Sequence, residues 1–486
     1  MSSKVIEAGK VVLIGSFISR GISALSSIIL ARLLFENDYG ALVIATIFTG
    51  LISQIGGMGY EIYYLQYKGS EEEKAKVLDQ VFNLRLVTNA IMFIIQIIIG
   101  FGLILLTDDK MSGGIILIMS FSLLLEGFNA PNEVILKNRM DFRKITIGNI
   151  LKEFFSTIGK VGGALIGIGG YCFGIGPVLG SLTRMIYLLK VQKYRPERLN
   201  WNKLIIKKVF DFGKHVLFGS AAMYAVQQVD RILLSLFFPK NIVGQYGFAW
   251  GVGAAPFTYL VSPQQQLIMT YTTRYKSGDT TLFKKLIIVQ RIISLLILPV
   301  MIVLVVYTRE FISLIYSERW FHVAEIVKLL LVYYTVLSLL FPFTSLLTGL
   351  GYPHITSKIS FIKAGFLIVL LLGVINIWQG ELIAYIIAFC SISLIFDIIK
   401  VALGIKKTAL TLIEYLSNEK YEIVLVLLIA VLGFFSVTIH SVAIKGLVVM
   451  CYLLIYFFFF FVIDRKKSKA AIKVLIKRNE NSTTSS

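Results

Sequence analysis

The amino-acid sequence predicts an all-α polytopic membrane protein, on the grounds of its composition, its apolar runs and the distribution of its charges. Of the 486 residues, 56% are hydrophobic and 16% are charged, and the mean hydropathy is +0.79. A soluble core of this size needs far less apolar surface. A helix needs about 20 apolar residues to cross the hydrocarbon layer, and such stretches follow one another along the chain. We therefore expect lipid to surround the protein.

Apolar runs alternate with charged loops and predict about 14 transmembrane helices. The predicted spans lie near residues 10–34, 39–60, 81–106, 113–130, 147–168, 171–191, 213–238, 243–266, 286–308, 324–349, 361–378, 382–404, 421–440 and 445–463. The first run contains Ser16, Ser19 and Arg20, so we expect a retained helix rather than a cleaved signal peptide.

The positive charges are distributed unevenly between alternate loops. Roughly 34 Lys and Arg residues fall on the N-terminal side of the membrane and roughly 6 on the other side. This bias predicts a multi-pass protein of the cytoplasmic membrane with both termini in the cytoplasm. The same bias accounts for the net charge of +20, so no nucleic-acid partner is expected.

Cysteine and histidine are sparse and scattered along the chain. The residues are Cys172, Cys390, Cys451, His215, His322, His354 and His440. Their spacing predicts neither a disulfide nor a metal site. No catalytic residue and no cofactor are expected, apart from H+ or Na+ as a coupling ion.

An internal repeat divides the chain into two halves. GKVVLIGS at residues 9–16 matches GKHVLFGS at residues 213–220, an offset of 204 positions that also pairs Gly40 with Gly244. Roughly 11 of 37 aligned residues are identical. Because about six spans separate the copies, both run the same way across the membrane, and the repeat predicts two six-helix lobes related by an axis along the membrane normal.

The repeat also sets the predicted domain limits. They are an N-terminal lobe at 1–191, a basic interfacial linker at 192–212, a C-terminal lobe at 213–404, an extra helix pair at 405–464 and a basic, partly disordered cytoplasmic tail at 465–486. Trp201, Leu204 and Phe210 stand among lysines in the linker, a pattern typical of a helix lying in the headgroup plane.

Four strings carry a resemblance to a known family. ARLLFENDYG follows the first span, PNEVILKNRMDFRK the fourth and GLGYPHITSKI the tenth, while DRILLSLFFPKNIVGQYGFAW crosses the end of the seventh. In this order they resemble the Wzx-type polysaccharide flippases of the multidrug/oligosaccharidyl-lipid/polysaccharide exporter superfamily. Family members usually carry a proline where Glu36 stands, so the turn before Asp38 departs from the pattern.

The resemblance implies a V-shaped pair of lobes around a central cavity that opens alternately to the two sides. Its substrate would be an undecaprenyl-pyrophosphate-linked oligosaccharide, moved to the outer leaflet for surface polysaccharide synthesis. The expected partners are this lipid-linked oligosaccharide and membrane lipids, with a polysaccharide polymerase and chain-length machinery as further candidates.

Charged residues at membrane depth are the candidate functional residues, because each needs a partner, a wet cavity or an interface. Arg20 lies about 15 Å into the first span and either lines the cavity or pairs with a neighbouring helix. Lys160 is a second candidate for substrate binding, although the glycines around it also suit close helix packing. Glu153 precedes Lys160 by seven residues on the same helix face, which allows an ion pair or a coupling site.

Further charged residues fall into two groups. Asp230 and Arg231 suit ion coupling, a salt bridge or a gate, and for Glu126 and Asp397 an interfacial position is the alternative to coupling. The cations nearer the cytoplasm would either snorkel or form a basic vestibule for the pyrophosphate. They are Arg85, Arg184, Arg291, Lys363 and Lys400.

Other functions remain open at this stage. An ion-coupled drug or metabolite exporter of the same superfamily would share the paired lobes but usually lacks the extra helix pair. A peptidoglycan lipid-precursor flippase matches the local strings less well. A membrane glycosyltransferase or polymerase would carry its catalytic residues on a long outer loop, which this sequence does not offer. A channel is disfavoured because two unequal lobes do not form a ring of pore elements.

Overall fold

A computed structural model describes residues 3–57, 59–192, 201–264, 268, 272, 280–344, 346–377, 381–407, 412–435 and 441–463. All regular structure in these ranges is helical, which confirms the predicted all-α class. The helices of the first half are α1 Ser3–Leu33, α2 Glu36–Gly57, α3 Tyr60–Gln66, α4 Glu71–Thr107, α5 Lys110–Asn138, α6 Phe142–Leu165, α7 Cys172–Gln192, α8 Lys203–Gln227, α9 Val229–Phe237 and α10 Lys240–Pro256.

The second half continues the same architecture. Its α-helices are α11 Thr280–Val306, α12 Thr308–Phe311, α13 Ala324–Thr344, α14 Leu346–Gly349, α15 Pro353–Ile377, α16 Leu382–Lys406, α17 Leu412–Phe435 and α18 Val442–Phe457. Within the described residues, each span predicted from hydropathy overlaps at least one helix. In the part of the chain that the structure describes, 10 helical segments are long and apolar enough to cross a membrane.

The other predicted spans correspond to helices that are shorter or richer in charge. α6 is the clearest case, because it carries Arg143, Lys144, Lys152, Glu153 and Lys160 within 24 residues. Charges at this density reduce hydropathy, and they are tolerated in a bundle when neighbouring helices supply partners.

The basic linker differs from the prediction in one respect. Asn202 caps α8 by accepting hydrogen bonds from the backbone N–H groups of Leu204 and Ile205 at 3.1 and 3.2 Å. From there α8 continues without a break to Gln227. Residues 203–212 thus belong to one continuous helix with the residues of the predicted seventh span, and their position in the headgroup plane stays a prediction. Residues 193–200 lie outside the described residues.

The chain forms two compact units, Met1–Gly247 and Phe248–Ser486. This boundary lies beyond the linker that the repeat predicted at residues 192–212. The first unit therefore contains α8, α9 and the first turns of α10, which belong to the second copy of the repeat. The repeat-based lobes stay a prediction, and the tail at 465–486 lies outside the described residues.

The turn between α1 and α2 is organised by Asp38. Its carboxylate accepts a hydrogen bond from the Phe35 backbone N–H at 2.8 Å, and from the Gly170 N–H at 2.7 Å. The second bond ties the turn to the loop before α7, where Gly169 adopts a left-handed φ of 58°. A buried carboxylate at the start of α2 also suits the positive end of the helix dipole. These hydrogen bonds of Asp38 fix the turn that leads into α2.

We expect Asp38→Ala to destabilise the protein, because it leaves two backbone donors unsatisfied. Hydrogen bonds to a charged group contribute about 1.5 to 3 kcal/mol each, so the apparent Tm in detergent should fall clearly. Asp38→Asn, which keeps one acceptor oxygen, should lose less, and Ala at the exposed Glu72 should change little. An unchanged Tm for Asp38→Ala would contradict this role.

Candidate functional site

A cavity of about 330 Å³ lies between α1, α5 and α6 in the first unit. It is lined by Val12, Gly15, Ser16, Ser19, Arg20, Lys137, Phe142, Ile145, Thr146 and Asn149. The α1 residues follow one another at helical spacing and share one face. A Cβ at Gly15 would collide with the Thr146 side chain, so glycine lets α1 and α6 approach closely beside the cavity. Arg20, which is half-buried, stands in the cavity wall.

Lys137 brings a second cation to this cavity but is itself ion-paired. Its Nζ lies 3.0 Å from Glu61 Oε2 and 2.9 Å from Glu133 Oε1. Sequence reasoning missed all three residues. The four-residue step from Glu133 to Lys137 on one helix is a signal that would have suggested their pair. Glu61 comes from α3, and only the fold reveals it.

Arg184 is the centre of a buried ionic network next to this pair. Its guanidinium donates to Glu126 Oε2 at 3.1 Å and to Glu133 Oε2 at 2.5 Å. Glu126 also accepts hydrogen bonds from Lys152 at 2.5 Å and from Ser181 at 3.1 Å. The Arg184 side chain is only 7% exposed. The carboxylate of Glu126 is an acceptor within this network, and both its interfacial position and its coupling role stay predictions.

The charges of this network balance. The carboxylates of Glu61, Glu126 and Glu133 face the cations Lys137, Lys152 and Arg184. Ion pairs in a low-dielectric interior hold well when both partners are present, and removing one partner leaves an uncompensated charge. The network thus holds α3, α5, α6 and α7 together.

Lys160 lies in an ion pair with Glu153, at 3.8 Å between Nζ and Oε1. The seven-residue spacing allowed this pair, and the structure contains it. A Cβ at Gly176 would come within 3.1 Å of Lys160 Cε, so α7 packs directly on the lysine stem. The glycine-rich packing and the ion pair therefore occur together.

Arg85 acts at the end of a helix. Its Nη1 donates to the carbonyl oxygen of Gly56 at 2.5 Å, and Gly56 belongs to the last turn of α2. Carbonyls there have no partner within the helix, and a cation offsets the negative end of the dipole. Arg85 thereby stabilises the C-terminal end of α2.

Asp230 and Arg231 are adjacent in sequence but have different partners. Asp230 is 3% exposed and accepts a hydrogen bond from the Tyr246 hydroxyl at 2.5 Å, which joins α9 to α10. Arg231 Nη1 donates to Gln228 Oε1 at 3.0 Å. Asp230 and Tyr246 both belong to the string DRILLSLFFPKNIVGQYGFAW, so this hydrogen bond lies within the string.

In the second unit, Arg291 is tied to the extra helix pair. It forms an ion pair with Glu422 of α17, and the two side chains are 2% and 1% exposed. The guanidinium also lies over the Phe460 ring, 5.9 Å from its centroid. From the sequence, Arg291 either snorkels or belongs to a basic vestibule, and both stay predictions. The structure pairs its charge with Glu422, a residue that the sequence pattern did not point to.

Two further predicted residues also lie in the second unit. Asp397 is buried and pairs with Lys400 at 3.4 Å, one turn away on α16. Lys363 is half-buried on α15.

The predicted site residues are thus divided between the two units. Arg20, Arg85, Lys160 and Arg184 belong to the first, and Arg291 and Lys363 to the second. The structure joins Glu126 to Arg184 and Glu153 to Lys160. A common basic vestibule, and ion coupling through Asp230, Arg231, Glu126, Glu153 or Asp397, stay predictions.

The fold resembles that of two solved membrane transporters. It matches the lipid II flippase MurJ in an inward closed conformation, with a TM-score of 0.68 and 14% identity over 92% of this chain and 98% of that chain. It also matches an inward-facing multidrug resistance MATE transporter of the MOP superfamily, with a TM-score of 0.61 and 13% identity over 79% of this chain and 93% of the other. At such identities the likeness shows the shared fold alone.

The chain belongs to the polysaccharide biosynthesis protein family, whose profile matches residues 29–325. The succinoglycan biosynthesis transport protein ExoT of Rhizobium meliloti is 20% identical over 324 residues, which is 66% of this chain and 65% of ExoT. An uncharacterized membrane protein of Methanocaldococcus jannaschii is 24% identical over 189 residues, or 36% of this chain and 35% of that protein. The matches span less than two thirds of either relative. The family resemblance seen in the sequence is confirmed.

We expect Arg184→Ala to lower the free energy of unfolding by about 3 to 5 kcal/mol, because Glu126 and Glu133 would stay buried without their guanidinium. The apparent Tm in detergent measures this loss. Adding Glu133→Gln removes one of the orphaned charges and should restore part of the Tm. As a matched control, Lys144→Ala breaks an exposed pair with Asp141 and should change stability by at most about 1 kcal/mol. Equal effects of the two alanine variants would contradict the network's role.

Proposed function

We propose that this protein is a flippase that moves an undecaprenyl-pyrophosphate-linked oligosaccharide from the cytoplasmic to the outer leaflet by alternating access. Its setting would be a bacterial cytoplasmic membrane, with both termini in the cytoplasm and surface polysaccharide synthesis as the pathway. The observation that carries the proposal is the half-buried Arg20 in the wall of a cavity of about 330 Å³, in a chain of the polysaccharide biosynthesis protein family.

The chemistry of the cavity suits an anionic headgroup. A pyrophosphate that enters a low-dielectric site loses hydration, and only opposite charge and hydrogen-bond donors replace it. Arg20 offers a planar guanidinium that donates two parallel hydrogen bonds to phosphate oxygens. Ser16, Ser19 and Asn149 in the same wall add neutral donors. We assign Arg20 to the pyrophosphate because its guanidinium belongs to a residue that lines the cavity.

The position of the cavity suits loading from the cytoplasmic leaflet. Phe142 begins α6 and lines the cavity together with Arg20. In the topology that the Lys and Arg distribution predicts, the loop before α6 faces the cytoplasm. The cavity would then run from the cytoplasmic boundary towards the middle of the bilayer. Its volume is near the lower end of ligand sites, which suits a headgroup rather than a whole oligosaccharide.

A drug or metabolite exporter of the same superfamily is the main alternative. The MATE transporters support it only through their fold, at 13% identity. The family match and the resemblance to a succinoglycan transport protein favour a polysaccharide precursor.

Reporter fusions or cysteine labelling test the topology. We expect a probe at Lys240 to be accessible from outside and a probe at Ser468 to be accessible only from the cytoplasm, because the positively charged loops stay inside. A Ser468 probe that is labelled from outside in intact cells would contradict the even number of spans.

Substitutions at Arg20 test the substrate site. Arg20→Lys keeps the charge but loses the planar fork, so it should retain part of the activity. Arg20→Ala should lose on the order of 2 to 5 kcal/mol of interaction if the contact is buried and ionic, and Arg20→Glu should be inactive. The measurement is surface polysaccharide in a strain that lacks its own flippase, with protein abundance checked in the membrane fraction.

Arg32 provides the matched control for this series. It lies on the same helix, is exposed and does not line the cavity, so Arg32→Glu should complement almost fully. Full complementation by an Arg20→Glu variant of normal abundance would overturn the proposed site.

A further inference from the structure

The first turns of α2 and α10 touch backbone to backbone within the first unit. A Cβ added at Gly40 of α2 would collide with the carbonyl oxygen of Lys240. One added at Gly244 of α10 would collide with the carbonyl oxygen of Glu36 and would lie 2.8 Å from the Gly40 nitrogen. These helices can approach so closely only because both positions are glycine.

The two contacts are images of each other under the internal repeat. Lys240 and Gly244 follow Glu36 and Gly40 by the same 204 positions that relate the repeat copies. Gly40 packs on the carbonyl of Lys240, and Gly244 packs on the carbonyl of Glu36, which holds the equivalent position in the other copy of the repeat. Such a reciprocal contact is what a two-fold relation produces where the axis passes between two equivalent surfaces. Here the axis would pass between Gly40 and Gly244.

Polar side chains reinforce this contact. Lys240 Nζ forms an ion pair with Asp109, which caps α5 by accepting a hydrogen bond from the Ser112 N–H at 3.0 Å. Gln245 Nε2 donates to Glu36 Oε2 at 3.1 Å. Burial alone would raise the pKa of Asp109, but the hydrogen bonds from Lys240 and Ser112 outweigh it and hold the pKa below its usual value. The Asp109 carboxylate is therefore ionised at neutral pH.

We propose that these residues form an outer clamp, in which Gly40 and Gly244 set the closed distance and Lys240–Asp109 and Gln245–Glu36 latch it. The inference rests on the proposed function and topology, because the first turns of α2 and α10 then lie at the outer end of the bundle. The clamp joins one copy of the repeat to the other. When the copies rock apart to release substrate outside, both the glycine contact and the latches must break.

Cross-linking tests the clamp without any substrate. Cysteines replace Glu36 and Gln245, so a covalent link takes the place of this one hydrogen bond while the glycine contact and the Lys240–Asp109 pair stay. A short bifunctional thiol reagent is applied to membranes, with each single-cysteine variant as the control for the native cysteines. The double-cysteine variant that keeps both Gly40 and Gly244 should cross-link efficiently. Gly40→Ala and Gly244→Ala should lower the yield severalfold and by similar amounts, since the contacts are equivalent, and the double variant should lower it most.

Gly251 provides the matched control. It lies on α10 with nothing within 4 Å of an added Cβ, so Gly251→Ala should leave the yield unchanged. Lys240→Gln removes the ion pair with Asp109 without adding bulk. It should also lower the cross-linking yield, and because it introduces no steric clash, the lower yield reports loss of the latch rather than misfolding. In cells, cross-linking of the cysteine pair should stop polysaccharide export in proportion to the cross-linked fraction.

Unchanged cross-linking in the double alanine variant, or undiminished export by fully cross-linked protein, would overturn the clamp. The cross-linking yield is measured without substrate, so it tests the clamp even if the Arg20 variants contradict the proposed pyrophosphate site. Conversely, complementation by the Arg20 variants is independent of the clamp.

Discussion

Lipid hydrocarbon does not solvate charge, and this constraint explains where the ionisable side chains of the protein are found. α6 carries five basic or acidic residues, yet Lys152 and Lys160 are both ion-paired. Arg184 lies between two carboxylates, and Arg291 is matched by Glu422 in the second unit. Compared with apolar residues, a buried ion pair of this kind adds little to the stability of the protein, but loss of either partner is strongly destabilising. The ion pairs of Lys152, Arg184 and Arg291 therefore link neighbouring helices.

Close helix approach is the second organising feature, and it is made at glycines. Gly15 admits Thr146 next to the cavity, and Gly159 lies against Gly176 between α6 and α7. Between helices in lipid, packing and polar contacts take the place of the hydrophobic effect. The ion pairs and the close helix contacts together hold the helices whose residues line the cavity with Arg20. The reciprocal contact of Gly40 and Gly244 differs from these, because it joins the two copies of the repeat.

Several site features were accessible from the sequence because they depend on spacing along one helix. The Glu153–Lys160 pair follows from a seven-residue step, and Glu133–Lys137 follows from a four-residue step. The face of α1 that carries Arg20 follows from helical spacing in the same way. The partners of Arg184 do not follow from spacing, because Glu126 lies 58 positions away on another helix. The pairing of Arg291 with Glu422 was hidden for the same reason.

The sequence by itself determined the class of the protein, the order of its spans, the internal repeat and the family, because hydropathy, charge distribution and local strings are properties of short segments. Only the tertiary structure decided which charges neutralise one another, that the basic linker begins α8, and that Gly40 meets Gly244. These outcomes depend on how each helix is rotated about its axis and on which neighbour it faces. That choice is made by packing across long separations in the chain, which local sequence does not encode.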